Sequence, residues 1–437
     1  MPIIPPVVFT DSQLQAFYTR IHLPSRHRHS IASPDLGFTL TSPTKSLELL
    51  AAIIRHTLAT VPFENLALHY SPHHTVSISP SFLFNKIVSS NPETCHRGGY
   101  CMENNNLVLT VLRTLGFDVY PVGAKINESV SSDDRTVPYD QLKYGGWSHM
   151  VNLVTLPLEN GGEGTFLCDV GFGAGGPSRP MFVEEGSIVS NMPGKGGARE
   201  ASEGAQLVRL TREKVTQTTR GRGAGNEMWV FARMVEGGDF RPFYAFTEQE
   251  FFPEDFAIMN HSTSTSRTSW FTFAVVCLRK ILDEKEQEVV GEIALFDRGV
   301  KKRMYGETVE TREFKTEDDR TTREASAVSS PNTSNSFKFS LEDETFSDFT
   351  IHYGDRSQKV HKHMLYTRSG YFQKLFTSGF KESTANEIRL HEEDTDLVTL
   401  LLKHDRGLMY CSWCRKMSTD ADFDGCVVGF RGTGPFK

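Results

Sequence analysis

Three residues far apart in the chain bear the side chains that covalent catalysis needs: a thiol at Cys101, an imidazole at His149 and a carboxylate at Asp169. A thiolate, not a thiol, is the nucleophile, so the cysteine needs surroundings that favour loss of its proton. The run Arg97-Gly98-Gly99-Tyr100-Cys101-Met102-Glu103-Asn104-Asn105 offers them. Two glycines lead into the cysteine. The apolar residues Leu107, Val108, Leu109, Val111, Leu112 and Leu115 follow at helical spacing and stop at Gly116. The pattern predicts a helix over about Met102 to Leu115 with Gly116 as its C-terminal cap. Cys101 then stands where a helix begins, and free backbone N–H groups and the positive dipole end stabilise a thiolate there. A cysteine at such a place is, taken alone, more often a small buried apolar residue.

The base and its orienter come from two strand-like runs. His149-Met150-Val151-Asn152-Leu153-Val154-Thr155-Leu156 and Thr165-Phe166-Leu167-Cys168-Asp169-Val170 flank the Gly- and Asn-rich segment 157–164. That reads as a hairpin. Directly opposed residues of an antiparallel pair share a constant sum of numbers and one sheet face. His149 and Asp169 are centred on residue 159, inside the turn, so they are expected to face each other. An imidazole beside a carboxylate, with a cysteine at a helix start, is a nucleophile–base–orienter set.

The elements that must hold this set are legible in outline. Helices are predicted over Gln13–Ile21, Ser46–Thr60 (capped by Thr44 or Ser46) and Ser81–Ser89 from apolar spacing. Val61-Pro62-Phe63-Glu64-Asn65-Leu66 reads as a turn with a packed Phe, because Pro62 biases Val61 out of the helical region. Strands are expected over Phe117–Ile126, Met228–Met234 and Trp270–Leu278, and loops over 127–146 and 183–226. Val170-Gly171-Phe172-Gly173-Ala174-Gly175-Gly176 is a glycine-rich turn that lets a ligand or backbone approach closely, without the spacing of a dinucleotide or phosphate loop.

Composition narrows the function. The 437 residues carry a net charge of −7, which argues against a general nucleic-acid binder. The start of the chain has no basic segment followed by an apolar one, and no apolar run is long enough to span a bilayer. Seven irregularly spaced cysteines fit a reduced compartment, so a cytoplasmic location with no membrane partner is expected. The single Cys411-Ser412-Trp413-Cys414 pair lacks a second ligand pair, so no metal is expected.

The residues above resemble the arylamine N-acetyltransferase family. Arg97, Gly98, Gly99, Cys101, Glu103 and Asn105 match every fixed position of its R-G-G-x-C-x-E-x-N motif, and Asp169 to Gly173 match its D-V-G-F-G. Val61 to Leu66 is similar to its I-P-F-E-N-L, His149 to Val154 to its histidine strand, and Asn260 to Phe271 to its N-x-x-x-S-T-x-x-x-S-x-F segment. The resemblance covers residues 8 to about 320. It implies an α+β fold with a cysteine-protease-like core. The parts would be a helical bundle (1–92), a β-barrel domain with the triad (93–182), an interdomain loop (183–226) and an α/β lid domain (227–320). It implies a Cys101–His149–Asp169 triad. It also implies ping-pong transfer of an acyl group from acetyl-CoA or a related acyl-CoA to an arylamine, arylhydroxylamine or hydrazine. By the same resemblance, Phe63, Tyr100, Gly171, Phe172 and Gly173 would hold the aromatic acceptor. Departures are Lys125-Ile126 in place of Arg-Val, the inserted 127–146, Arg267 in place of Pro, and the missing apolar tail after Thr316–Arg320.

Beyond a Thr-, Glu- and Ser-rich linker (321–337), a second resemblance begins. Ser347-Asp348-Phe349-Thr350-Ile351, Val360-His361-Lys362-His363-Met364-Leu365 and Arg368-Ser369-Gly370-Tyr371-Phe372 look like a BTB/POZ domain. It is partial (338–403), with a helix expected around Leu365 to Phe376 and an unstructured tail at 404–437. It implies a protein partner or self-association. The other readings are a Cys-His-Asp hydrolase or transglutaminase-like enzyme, and an adaptor acting through the BTB-like segment. Independence of CoA would mark the first, and an unreactive Cys101 the second.

Overall fold

Helix and strand spacing along the first 115 residues builds a set of packed helices that ends in the cysteine helix. The structure, a computed structural model, describes residues 6–71, 73–89, 97–130, 137–197, 204–219, 227–234, 238–314, 349–353, 356–360 and 387–390. The chain divides into two units, Met1–Phe337 and Lys338–Lys437. In the first unit the helices are α1 (Asp11–Arg20), α2 (Pro34–Thr41), α3 (Pro43–Thr60), α4 (Leu66–Tyr70), α5 (Pro80–Leu83), α6 (Cys101–Leu115) and α7 (Pro253–Thr265). Helix α3 begins earlier than expected. Pro43 suits the first helical turn, and Ser42, not Thr44 or Ser46, caps it by accepting from the Lys45 N–H at 3.5 Å. The helix expected over Ser81–Ser89 is α5 followed by a π-turn over Phe84–Val88.

The strands of this unit form two antiparallel sheets. They are β1 (Phe63–Glu64), β2 (Asp118–Asn127), β3 (Tyr144–Pro157), β4 (Glu163–Cys168), β5 (Met181–Phe182), β6 (Ile188–Met192), β7 (Gln206–Lys214), β8 (Glu227–Met234), β9 (Phe240–Glu250), β10 (Val276–Leu282), β11 (Val289–Phe296), β12 (Gly299–Met304) and β13 (Glu307–Glu313). One sheet runs β5-β4-β3-β2-β9-β8-β7-β6 and is rolled into a nearly closed barrel; the other runs β1-β10-β11-β12-β13. The expected crossing loop over 183–226 therefore carries two barrel strands. In β7 only Val208 and Leu210 are buried, so its inward alternation is masked by the charged residues facing out. Strands β8 and β9, which the sequence reading places in the third domain, are central strands of this barrel sheet. The strand expected over Trp270–Leu278 splits into a 3-10 turn (Trp270–Thr272) and β10. Asn65 holds the link between them: its side chain donates to the Phe271 and Ala274 carbonyls at 2.9 and 2.8 Å and accepts from the Val276 N–H at 2.8 Å.

Two cores meet at β3. Met150, Val154 and Leu156 pack with α1, α3 and α6 against one face. Val151 and Leu153 pack with Phe231, Phe243, Tyr244 and Phe246 inside the barrel. Alternation along a strand sends successive side chains to opposite faces, so β3 joins helices to barrel. No described helix is long and apolar enough to cross a membrane. In the second unit a three-stranded sheet pairs β14 (Phe349–Tyr353) with β15 (Arg356–Val360) and, in parallel, with β16 (Glu387–Leu390). The helix expected around Leu365 to Phe376, Thr316–Arg320, Cys411–Cys414 and the 404–437 tail lie outside the described residues.

Candidate active site

Cys101 is the first residue of α6, and the chain is bent into that place by close contacts that only glycine permits. A Cβ on Gly98 would lie 1.9 Å from the Pro62 carbonyl oxygen, and one on Gly99 would lie 2.5 Å from the Glu103 Cβ. The helix has no Ser or Thr cap. Glu103 takes that role: its Oε2 accepts from the Tyr100 N–H at 3.1 Å, and Asn104 Nδ2 donates to the Gly99 carbonyl at 2.8 Å. At the other end Gly116 adopts φ 87°, the left-handed cap the sequence predicts. Cys101 is buried and its Sγ lies 3.6 Å from the Ser148 carbonyl oxygen.

His149 and Asp169 meet as the sequence expects, by a different register. The β3–β4 ladder pairs Asn152 with Cys168 and Leu153 with Leu167, so its constant sum is two greater than the expected one and Asp169 lies just past the end of β4. A shift of two preserves the face, which is why the partners survive the error. His149 Nε2 lies 2.9 Å from Asp169 Oδ2. The Cys101 side chain lies close enough to act on the ring electrostatically. Burial disfavours the charged ring, but the Asp169 carboxylate and Cys101 overcome it and raise its pKa to about 10. Burial opposes charge on Asp169 as well. His149, Asn105 and the Gly171 N–H together hold its pKa below the ordinary carboxylate value.

Asn105 ties the three parts together. Its Nδ2 donates to Asp169 Oδ1 at 2.9 Å and to the Met150 carbonyl at 2.6 Å, and its Oδ1 accepts from the Val170 N–H at 2.9 Å. Its own carbonyl accepts from Asn152 Nδ2 at 2.9 Å. One side chain on α6 therefore fixes β3 and the 169–171 turn, and through them the carboxylate. Gly171 seals the joint: its N–H donates to Asp169 Oδ1 at 2.8 Å, and a Cβ there would sit 2.7 Å from both Cys101 Cα and Cys101 O.

The aromatic residues divide. Phe172 stands edge-on to the His149 ring at 5.3 Å and is only partly buried. Phe63 lies under Gly173, whose Cβ position is 3.2 Å from its ring. Tyr100, expected beside the acceptor, is completely buried; its hydroxyl donates to Asn260 and its ring stands edge-on to Phe271 at 5.4 Å. Lys125, which departs from the family pattern, lies 4.7 Å over the Trp147 ring and donates to the Gly145 carbonyl at 3.3 Å.

Beneath the cysteine turn is a buried ionic cluster. Glu64 accepts from Arg97 Nε at 3.3 Å, the Gly98 N–H at 3.2 Å and the Leu66 N–H at 2.6 Å. Lys86 Nζ lies 2.7 Å from Glu103 and 3.5 Å from Glu64. Despite full burial, Arg97 and Lys86 hold the Glu64 pKa down at about 2. Glu103 goes the other way: burial raises it, and Glu64 adds to that against the pull of Lys86. The sequence reading passed over Lys86, Tyr244 and Asn152. Lys86 had one signal, a charged residue between Leu83 and Ile87 on an apolar helical stripe.

A thiol at a helix start, near an imidazole that is itself braced by a carboxylate, can open a thioester or amide and hold the acyl group. A profile of the N-acetyltransferase family matches residues 46–326, and a BTB/POZ profile matches 337–412. The chain belongs to the arylamine N-acetyltransferase family. It is an acyltransferase of that family with a BTB/POZ segment following. An N-malonyltransferase from Fusarium pseudograminearum is 34% identical over 322 residues, covering 72% of this chain and 87% of its own. An arylamine N-acetyltransferase structure from Salmonella typhimurium matches 73% of this chain and 92% of its own at 19% identity and TM-score 0.52. The Mycobacterium marinum enzyme in complex with CoA matches 72% and 95% at 22% identity and TM-score 0.50. These two show the shared fold.

Proposed function

We propose that this acyltransferase moves an acetyl or related acyl group from an acyl-CoA to an arylamine, arylhydroxylamine or hydrazine through a thioester on Cys101. The observation that carries the proposal is the 2.9 Å His149–Asp169 contact beside Cys101 at the first position of α6. In the loading step the Cys101 thiolate attacks the thioester carbonyl. As the tetrahedral adduct collapses, the CoA sulfur leaves and takes the proton from the His149 imidazolium. In the second step the amine nitrogen attacks the acyl-cysteine, His149 removes its proton, and the Cys101 thiolate departs. Asp169 holds the ring in place and stabilises its charged form, before the CoA sulfur takes the proton and again once the amine proton is removed. An arylamine is unprotonated near neutral pH, so it needs no prior deprotonation.

The acceptor would lie against Phe63, Phe172 and the backbone of Gly171 to Gly173, with Tyr100 as their support. The Fusarium relative's name makes malonyl-CoA a donor to set beside acetyl-CoA. The BTB/POZ segment would recruit a protein partner or a second copy. The test is to incubate the protein with acetyl-, propionyl- and malonyl-CoA separately and weigh the Cys101 peptide. One donor should add its acyl mass, and an aniline added afterwards should remove it as the amide. Absence of any acyl-cysteine overturns the proposal; release as the free acid, with no amide, identifies a hydrolase.

A further inference from the structure

The cysteine turn rests on two fully buried carboxylates, and one lysine stands between them. Glu103 packs against the bare Cα of Gly99 and accepts the Tyr100 N–H, the amide just before Cys101. Glu64 accepts the Gly98 N–H on the other side of the turn. Arg97 bonds Glu64, so the cation on Glu103 is Lys86, at 2.7 Å, which also reaches Glu64 at 3.5 Å. Lys86 is itself buried, and it is delivered by the π-turn Phe84–Val88, a local widening of a helix that is frequent at functional sites. We propose that Lys86 is a positioning residue for Cys101: its ammonium, 2.7 Å from Glu103, pins that carboxyl against the glycine turn, so that the cap on the Tyr100 N–H holds the thiol in place. It lies outside the Arg97–Asn105 motif and touches no reacting atom.

The charge argument has a direction. Two buried carboxylates sharing one site resist joint ionisation, and a buried charge that has lost its partner is strongly destabilising. The groups facing Glu103 are Lys86 from the π-turn, Glu64 from β1, Arg97 from the turn and Tyr100 from its own cap, with Cys277 of β10 beyond Arg97. Without Lys86, Glu103 would take up a proton or leave the turn. A carboxyl whose folded pKa is raised stabilises the fold at low pH and loses that contribution as pH rises through it. The defect in a Lys86 variant should therefore grow with pH.

The inference rests on Cys101 being the nucleophile, but its test does not need an acyl donor. The measurement is the rate of Cys101 alkylation by iodoacetamide, read by peptide mass between pH 5 and about 8, on full-length protein. Lys86→Met should slow alkylation about tenfold or more at the upper end and less at the lower end. Lys86→Arg should recover most of the rate. The double variant Lys86→Met/Glu103→Gln removes the stranded charge but retains an acceptor for the Tyr100 N–H, so it should be folded and faster than Lys86→Met. An unchanged, pH-independent rate in Lys86→Met overturns the proposal, as does a double variant that is unfolded or no faster. If the wild-type thiol alkylates normally yet takes no acyl group, the proposed function fails while the role of Lys86 stands.

Discussion

Two buried clusters of acids and bases adjoin the Cys101 turn, and they serve opposite ends. In the Cys101–His149–Asp169 group one acid faces one base, with His149 Nε2 2.9 Å from Asp169 Oδ2. In the Glu64–Lys86–Arg97–Glu103 group two acids face two bases across buried ion pairs. The first cluster is built around a proton that moves. The second is built around charges that must not. A buried ion pair is weak evidence for stability, because desolvation offsets the attraction. What the second cluster supplies is location: each carboxylate is tied to a backbone N–H of the turn that aims the thiol.

Removing the nucleophile should separate the two most sharply. Cys101→Ala is expected to lower amide formation from acyl-CoA and an aniline by at least about 10³-fold, since little but binding remains. Its melting temperature should stay near that of the wild type, because the ionic cluster beneath is untouched. Substantial transfer activity in that variant would remove Cys101 from the chemistry. Asp169→Asn comes next. It keeps the shape but frees the ring to adopt the wrong tautomer, with an expected loss of about 10³- to 10⁴-fold in kcat, as in other triads. Single-turnover loading of Cys101 measures it, and a loss below tenfold would contradict the bracing role.

Asn105→Ala tests the bridge between α6 and the 169–171 turn. It takes the Asn105 partner from the Met150 carbonyl and the Val170 N–H, and leaves Asp169 Oδ1 with the Gly171 N–H alone. Each orphaned buried group costs about 1–3 kcal/mol. Both denaturation midpoint and kcat should fall, and a fall in only one of them would assign Asn105 to a single task.

The smallest effects separate the clusters by pH. His149 has a folded pKa raised from 6.5 to about 10, so its contribution to stability is fully present below 6.5 and is lost as pH rises toward 10. Glu64 has a folded pKa lowered from 4.5 to about 2, so its contribution is present above 4.5 and is lost as pH falls toward 2. Thermal melts across the range should show His149→Gln flattening the alkaline limb and Glu64→Gln flattening the acid limb. The reverse assignment, or no change in either limb, would break the comparison.

Residue type and spacing by themselves determined the cysteine helix, its Gly116 cap, the hairpin that brings His149 to Asp169, and the two-part order of the chain. These are local patterns, and each is written within a few tens of residues. Tertiary structure decided the rest. The ladder register shifted by two because the long 158–162 turn does not lock it, and only the even shift preserved the shared face. Tyr100 is buried with its hydroxyl on Asn260, 160 residues away. Strands β6 and β7 were hidden although they pair with their chain neighbours, because one face is left to water and charged residues break up the apolar alternation. Lys86 acquired its place only when Glu64 and Glu103 were folded onto it, since a buried charge is tolerated where partners from distant segments converge, and no local pattern records that meeting.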